Sequence, residues 1–263
     1  MKNIAHPLAI LLASMLAHAP SAMAQASCSS DGTAQPVAVF ERFINADCEA
    51  CWADPATPVP SESSLSSPGA VVLDWIVPAA SGDEAPLSAA AINDALIRLQ
   101  ALGRQVPKAT DVYTAPVLPL ATPSPRLRVA HGLPFGDYIG TAIAWAPAQH
   151  TNTRARSAAH QNGHKNTQAT PPGVFRYHLV LVESVPAGTD GTTVPRHIVR
   201  NLLEGVWAPS DLRPDSKKPR QRRWMEVRPM QIPQGAQAER LHMVGWVDDA
   251  QSRIMAAAQS ACR

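Results

Sequence analysis

The chain has 263 residues, of which 45% are hydrophobic and 17% charged, with a formal net charge of +2. That length allows one or two domains, and the apolar share suffices for a core. The near-neutral balance gives no reason to expect nucleic acid or an anionic membrane as partner.

Lys2 and a short apolar run, Leu8 to Leu16, precede Ala22-Met23-Ala24. The run is too short to span a bilayer, and a small-x-small pattern behind it is that of a cleaved secretory signal, so residues 1–24 are expected to be removed. No later run is long enough for a membrane helix. Export to the periplasm or beyond follows. Cys28, Cys48, Cys51 and Cys262 remain. In an oxidising space an even number points to disulfides, and four cysteines allow three pairings. The simplest joins Cys48 to Cys51 locally and Cys28 to Cys262 across the chain ends. The second of these closes a very long loop and restricts the unfolded chain by roughly 4–5 kcal/mol.

VAVFERF (37–43) has the length and composition of a buried strand, and it runs into Cys48-Glu49-Ala50-Cys51. Pro55, Pro58 and Pro60 follow, so only Pro60 to Ser66 has room for a short helix. AVVLDWIV (70–77) is a second buried strand by its β-branched content. LSAAAINDALIRLQALG (87–103) reads as a helix capped by Ser88 and stopped by Gly103, with Ile92, Ala95, Leu96, Leu99 and Leu102 on one face. The strands flanking a crossover helix must be parallel. VYTAPVLPLA (112–121) and LRVAHG (127–132) form two short strands of a hairpin. FGDYIGTAIAWA (135–146) spaces Phe135, Tyr138, Ile139, Ala142, Ile143 and Ala146 as a helix would, against two internal glycines. Residues 147–173 hold almost no apolar side chain larger than alanine and read as a linker. VFRYHLVLVES (174–184), HIVRNLLEGVW (197–207), RRWMEVRPMQI (222–232) and RLHMVGWVDD (240–249) are strands separated by Pro, Gly and Asp clusters. The closing QSRIMAAAQSACR is expected to form a last turn that brings Cys262 back towards Cys28.

FERFINADCEAC (40–51), LDWIV (73–77), the 87–103 helix, VYTAP (112–116), HIVRNLL (197–203) and MVGWVDDAQSRIMAAA (243–258) resemble a secreted proteobacterial family of thioredoxin-like proteins. The first strand of that family reads ELFTSQGC-x-x-C. The resemblance implies an α/β thioredoxin-like domain at 27–147, a polar linker at 148–173 and a small all-β sandwich-like domain at 174–263. The chain departs from the family where Trp52 stands in place of a proline after the second cysteine. It departs again where Ile76, Val77 and Pro78 replace His-Val-Asp after Trp75.

A C-x-x-C at a strand-to-helix junction can hold an exposed thiol of lowered pKa beside a second thiol that resolves a mixed disulfide. Cys48 is then the nucleophile and Cys51 the resolving thiol. The thioredoxin-like resemblance places Pro116 opposite them on a loop. The partners implied are thiol- or disulfide-containing envelope proteins, and no cofactor is called for. Against activity stand Glu49, a negative charge beside Cys48, and Pro55, which breaks the following helix. The alternative is a non-catalytic binding or structural module of the envelope with both disulfides permanently closed. A metal site is not expected, because His160 and His164 lie in the polar linker and the other histidines lack ligand spacing. KKPRQRR (217–223) reads as a solvated loop. No G-x-S-x-G, phosphate loop or paired-carboxylate motif points to hydrolysis.

Overall fold

The computed structural model describes residues 27–55, 60–62, 68–119, 126–146, 173–215 and 222–262. The expected signal peptide, all of the linker but Gly173, most of the Pro60–Ser66 segment and most of the basic run at 217–223 lie outside the described residues.

The strands are β1 (Cys28–Ser29), β2 (Ala38–Asn45), β3 (Ala70–Val77), β4 (Thr110–Pro116), β5 (Leu127–Phe135), β6 (Tyr138–Trp145), β7 (Phe175–Val185), β8 (Arg196–Trp207), β9 (Arg213–Pro214), β10 (Arg222–Gln231), β11 (Leu241–Asp248), β12 (Ile254–Gln259) and β13 (Ala261–Cys262). Two α-helices interrupt them among the described residues, α1 (Glu49–Ala53) and α2 (Asn93–Ala101). Seven strands form one sheet in the order β12-β11-β7-β8-β3-β2-β4, and six form a second in the order β13-β1-β5-β6-β10-β9.

This corrects the expected α/β thioredoxin-like domain with a separate β-sandwich. β2 and β3 are parallel neighbours, as a crossover requires, but the molecule is dominated by strands, and its sheets draw on both halves of the chain. β8 pairs in parallel with β3 through Asp74 and Ile198, and β7 and β11 continue the sheet antiparallel. The physical reason lies in the alternation of side chains. In β7, Tyr177, Leu179 and Leu181 face the six-stranded sheet while Val180 and Val182 face the α2 side. A strand apolar on both faces has to be covered twice.

The 135–146 segment is likewise a strand rather than a helix. Gly136, at φ 56°, turns the chain between β5 and β6. Beyond it Ile139, Thr141, Ile143 and Trp145 are buried on a period of two. The expected hairpin between 112–121 and 127–132 does not form, because β4 pairs with β2 in one sheet and β5 with β1 and β6 in the other. The segments at 174–184, 197–207, 222–232 and 240–249 are strands within a residue or so of their expected limits. The closing segment forms β12 and β13 rather than a turn, and β13 lays Cys262 against Cys28.

The helix expected at 87–103 narrows to a 3-10 turn, Ser88–Ala90, followed by α2. Ala95 and Leu99 pack on Val39, Phe43, Leu73 and Trp75. The seven-stranded sheet curls around this helix until its edges touch, where Leu118 N–H donates to Ile254 O at 2.8 Å. On its other face the six-stranded sheet closes a second core of Val129, Ile143, Leu179, Met243 and the stacked rings of Trp145, Trp207 and Trp224.

Candidate functional site

β2 ends at Asn45, whose backbone carbonyl accepts from Cys48 N–H at 2.9 Å. Its side chain is fixed on both sides: Nδ2 donates to Pro107 O at 2.8 Å, and Oδ1 accepts from Asp47 N–H at 2.9 Å. These contacts bend the chain out of the sheet and set Cys48 at the start of α1. Cys48 and Cys51 are joined as a disulfide, and both are half-buried. Cys28 and Cys262, opposite each other on β1 and β13, form the other disulfide.

α1 is five residues long and ends at Ala53, with Asp54 extended after it and then Pro55. Pro55 lacks the N–H that another turn would need. With so few peptide units aligned, little helix dipole reaches Cys48. Its anchor is Trp52. The indole packs against Ile44, Ile76, Val185 and Ile198, and its Nε1–H donates to Asp190 O at 2.7 Å. Asp190 adopts a φ of 48° in the turn between β7 and β8, so the turn spends some backbone strain to present that carbonyl.

Arg196, at the start of β8, is fully buried and fastens the carboxyl end of α1. Its Nε donates to Trp52 O at 2.9 Å, and its Nη2 donates to Cys51 O at 3.1 Å and to Asp54 O at 3.0 Å. Burial, with Arg42 nearby, lowers its pKa from the usual arginine value. Thr192 and Thr193 add hydroxyl donors to Trp52 O and Ala53 O at 3.1 and 2.8 Å. Four carbonyls of one short loop are therefore held from a segment some 140 residues further on. Beneath them, Arg42 Nε donates to Asp74 Oδ1 at 2.6 Å, and Asp74 Oδ2 accepts from His197 N–H at 2.6 Å.

Cys48 and Cys51 are brought together, but Pro116 is not with them. It pairs with Ala38 at the other end of β2, about 20 Å along the strand. Pro107 lies beside the cysteine loop instead, its carbonyl accepting from Asn45 Nδ2. Arg196, Thr192 and Trp52 were invisible as site residues in the sequence, because nothing local marks a contact made across the whole sheet. Among the described residues, one cluster has ligand-type atoms within 4.8 Å of one another, Cys28, Cys262 and His131. Both its sulfurs are already bonded to each other.

No protein-family model and no curated protein matches the chain. The chain thus carries two disulfides, and no helix among the described residues is long and apolar enough to cross a membrane.

Proposed function

We propose that the chain is an exported protein, periplasmic or secreted, whose Cys48–Cys51 disulfide exchanges with thiols of other envelope proteins. One observation carries this reading: the loop is already fastened without its disulfide. Arg196, Thr192, Thr193 and the Trp52 indole hold it through bonds to backbone carbonyls. A cross-link between residues three apart restricts the unfolded chain by only about 2 kcal/mol, against roughly 5 kcal/mol for one spanning 234 residues. The short bridge adds little as a staple, and opening it leaves two thiols in place to close again.

In the exchange, a partner thiolate attacks one sulfur of the pair, forming a mixed disulfide and releasing the other cysteine as thiolate. A second partner thiolate then displaces the first cysteine. The partner leaves as a disulfide, and the pair, having taken up two electrons, is a dithiol.

A second reading, a non-catalytic envelope module with both disulfides closed, is favoured by the five-residue helix and by Glu49 beside Cys48. Insulin reduction with dithiothreitol as electron donor separates the two. Exchange predicts acceleration by the wild type that Cys48→Ser abolishes, and equal rates for the two proteins would leave the closed module.

A further inference from the structure

Three neighbouring strands of the six-stranded sheet carry a row of metal-ligand side chains. Pairing of β1 with β13 sets Cys28 opposite Cys262, and pairing of β1 with β5 sets the same Cys28 opposite His131. Residues directly opposed on adjacent strands project from one face of a sheet. Both sulfurs and a ring nitrogen of His131 accordingly lie within 4.8 Å of one another. The three residues are far apart in the chain, so no spacing in the sequence announces them.

His131 is only 5% exposed. Its Nδ1 lies 2.9 Å from Gly132 O, and because a carbonyl only accepts, Nδ1 carries the proton and Nε2 the lone pair. Nε2 is buried and has no hydrogen-bond partner among the described residues. A buried ring nitrogen left without a partner calls for an explanation. An imidazole whose other nitrogen donates to a backbone carbonyl is the usual state of a metal-bound histidine. Cys28 is buried like His131, whereas Cys262 is exposed, so the row opens to solvent at its Cys262 end.

We propose that, before Cys28 and Cys262 are oxidised to their disulfide, the two thiolates and His131 Nε2 bind one Zn²⁺, with water in the fourth position at the exposed Cys262 end. Two thiolates and a neutral imidazole are a ligand set for zinc. They cancel its charge, as burial demands, and they offer none of the oxygen ligands that Mg²⁺ and Ca²⁺ take. Sulfurs of a tetrahedral zinc site stand about 3.8 Å apart, a separation that opposed strand positions reach by turning each side chain about Cα–Cβ. Binding releases the two thiol protons and needs no redox partner, since cysteines are thiols when the chain is made. A partner disulfide later takes two electrons from the thiolates and, with two protons from water, leaves as a dithiol. The Cys28–Cys262 bond then forms and Zn²⁺ departs. The chain ends are held first by metal and afterwards by sulfur. The proposal does not depend on exchange at Cys48–Cys51.

Metal titration of the chain carrying Cys48→Ser and Cys51→Ser tests it, because Cys28 and Cys262 are then its only cysteines. Reduced with a phosphine and kept from oxygen, this protein is expected to bind one Zn²⁺ with a Kd below about 1 μM, measured against a chromophoric chelator. The oxidised protein should bind none in the same range. Co²⁺ in place of zinc should show thiolate charge-transfer absorption and the visible bands of a tetrahedral ion. His131→Ala should weaken zinc binding roughly tenfold or more and change the visible bands; His131→Gln, closer in size, replaces it if the alanine variant does not fold. Should the reduced chain unfold, Zn²⁺ is expected to restore the near-ultraviolet circular dichroism of its buried tryptophans. Absence of binding, equal binding by the oxidised protein, an unchanged affinity and cobalt spectrum without His131, or a reduced chain that zinc does not refold would overturn the proposal.

Discussion

Arg196 shows how much one side chain can hold. It is buried, and its three donated bonds go to the backbone of the cysteine loop rather than to a carboxylate. Hydrogen bonds from a charged group to buried acceptors are worth roughly 1.5–3 kcal/mol each, with incomplete additivity. Arg196→Ala should therefore lower unfolding stability by about 2–4 kcal/mol in urea titration. It should also make the Cys48–Cys51 bridge easier to reduce, because the loop no longer holds the thiols together. His242 is a second such residue. Burial first, and then the neighbouring His197, push its pKa down from 6.5 to about 3, and burial likewise lowers His131. Between those two pH values the unfolded chain takes up a proton that folded His242 refuses, so stability falls as pH drops through 6.5. The slope is at most about 1.4 kcal/mol per pH unit for this one histidine. Urea midpoints measured from pH 7 to pH 4 should fall less steeply in His242→Gln than in the wild type.

At the scale of elements, close approach decides what fits. A side chain at Gly245 on β11 would place its Cβ 2.6 Å from Val129 Cγ1 and 3.1 Å from Ile143 Cδ1, both in the facing sheet. Gly245→Ala should destabilise by about 1–3 kcal/mol through overpacking, visible as a lower thermal midpoint, and trimming Val129 to alanine in the same chain should return part of the loss. The same two sheets explain which elements could be read in advance. β2, β3, β7, β8 and β11 announced themselves by β-branched residues between turn residues, and β10 by the turn residues around it. β6 did not, since Ile139, Ala142, Ile143 and Ala146 satisfy a helical period as well as Ile139, Thr141, Ile143 and Trp145 satisfy an alternating one. Gly136 and Asp137 were the discriminating signal, a hairpin turn at the mouth of the segment. α2 is held by its face and by the buried pair of Arg98 with Glu41. Only the apolar face is visible in sequence, because the partner of Arg98 lies 57 residues upstream.

For the whole molecule, the two disulfides divide the work. Cys28–Cys262 ties β1 to β13, and Cys48–Cys51 closes a loop that other residues already hold. Replacing Cys28 and Cys262 together by serine should cost about 5 kcal/mol of unfolding stability, and replacing Cys48 and Cys51 no more than about 2 kcal/mol. Urea unfolding of the two double variants checks that order. The cysteine pairing could be anticipated from counting and chain position. The thioredoxin-like architecture could not be upheld, because the local pattern around β2 and β3 is equally served by a sheet that takes its next strands from the far half of the chain. Pro116 failed as a site residue for the same reason: which end of β4 meets the cysteines depends on β4 running antiparallel to β2. The contacts of His178 with Glu204 and Asp248 gave no sequence signal, since they form only once β7 pairs with β8 on one side and β11 on the other.

The most direct test of the exchange proposal is a thiol count. The oxidised protein is equilibrated in glutathione buffers of increasing reducing strength, alkylated, and read by mass spectrometry after digestion. Cys48 and Cys51 are expected to become labelled reversibly within the glutathione range while Cys28 and Cys262 remain bonded. If Cys48–Cys51 stays closed in every buffer that leaves the fold intact, the pair is not an exchange site and the claim fails.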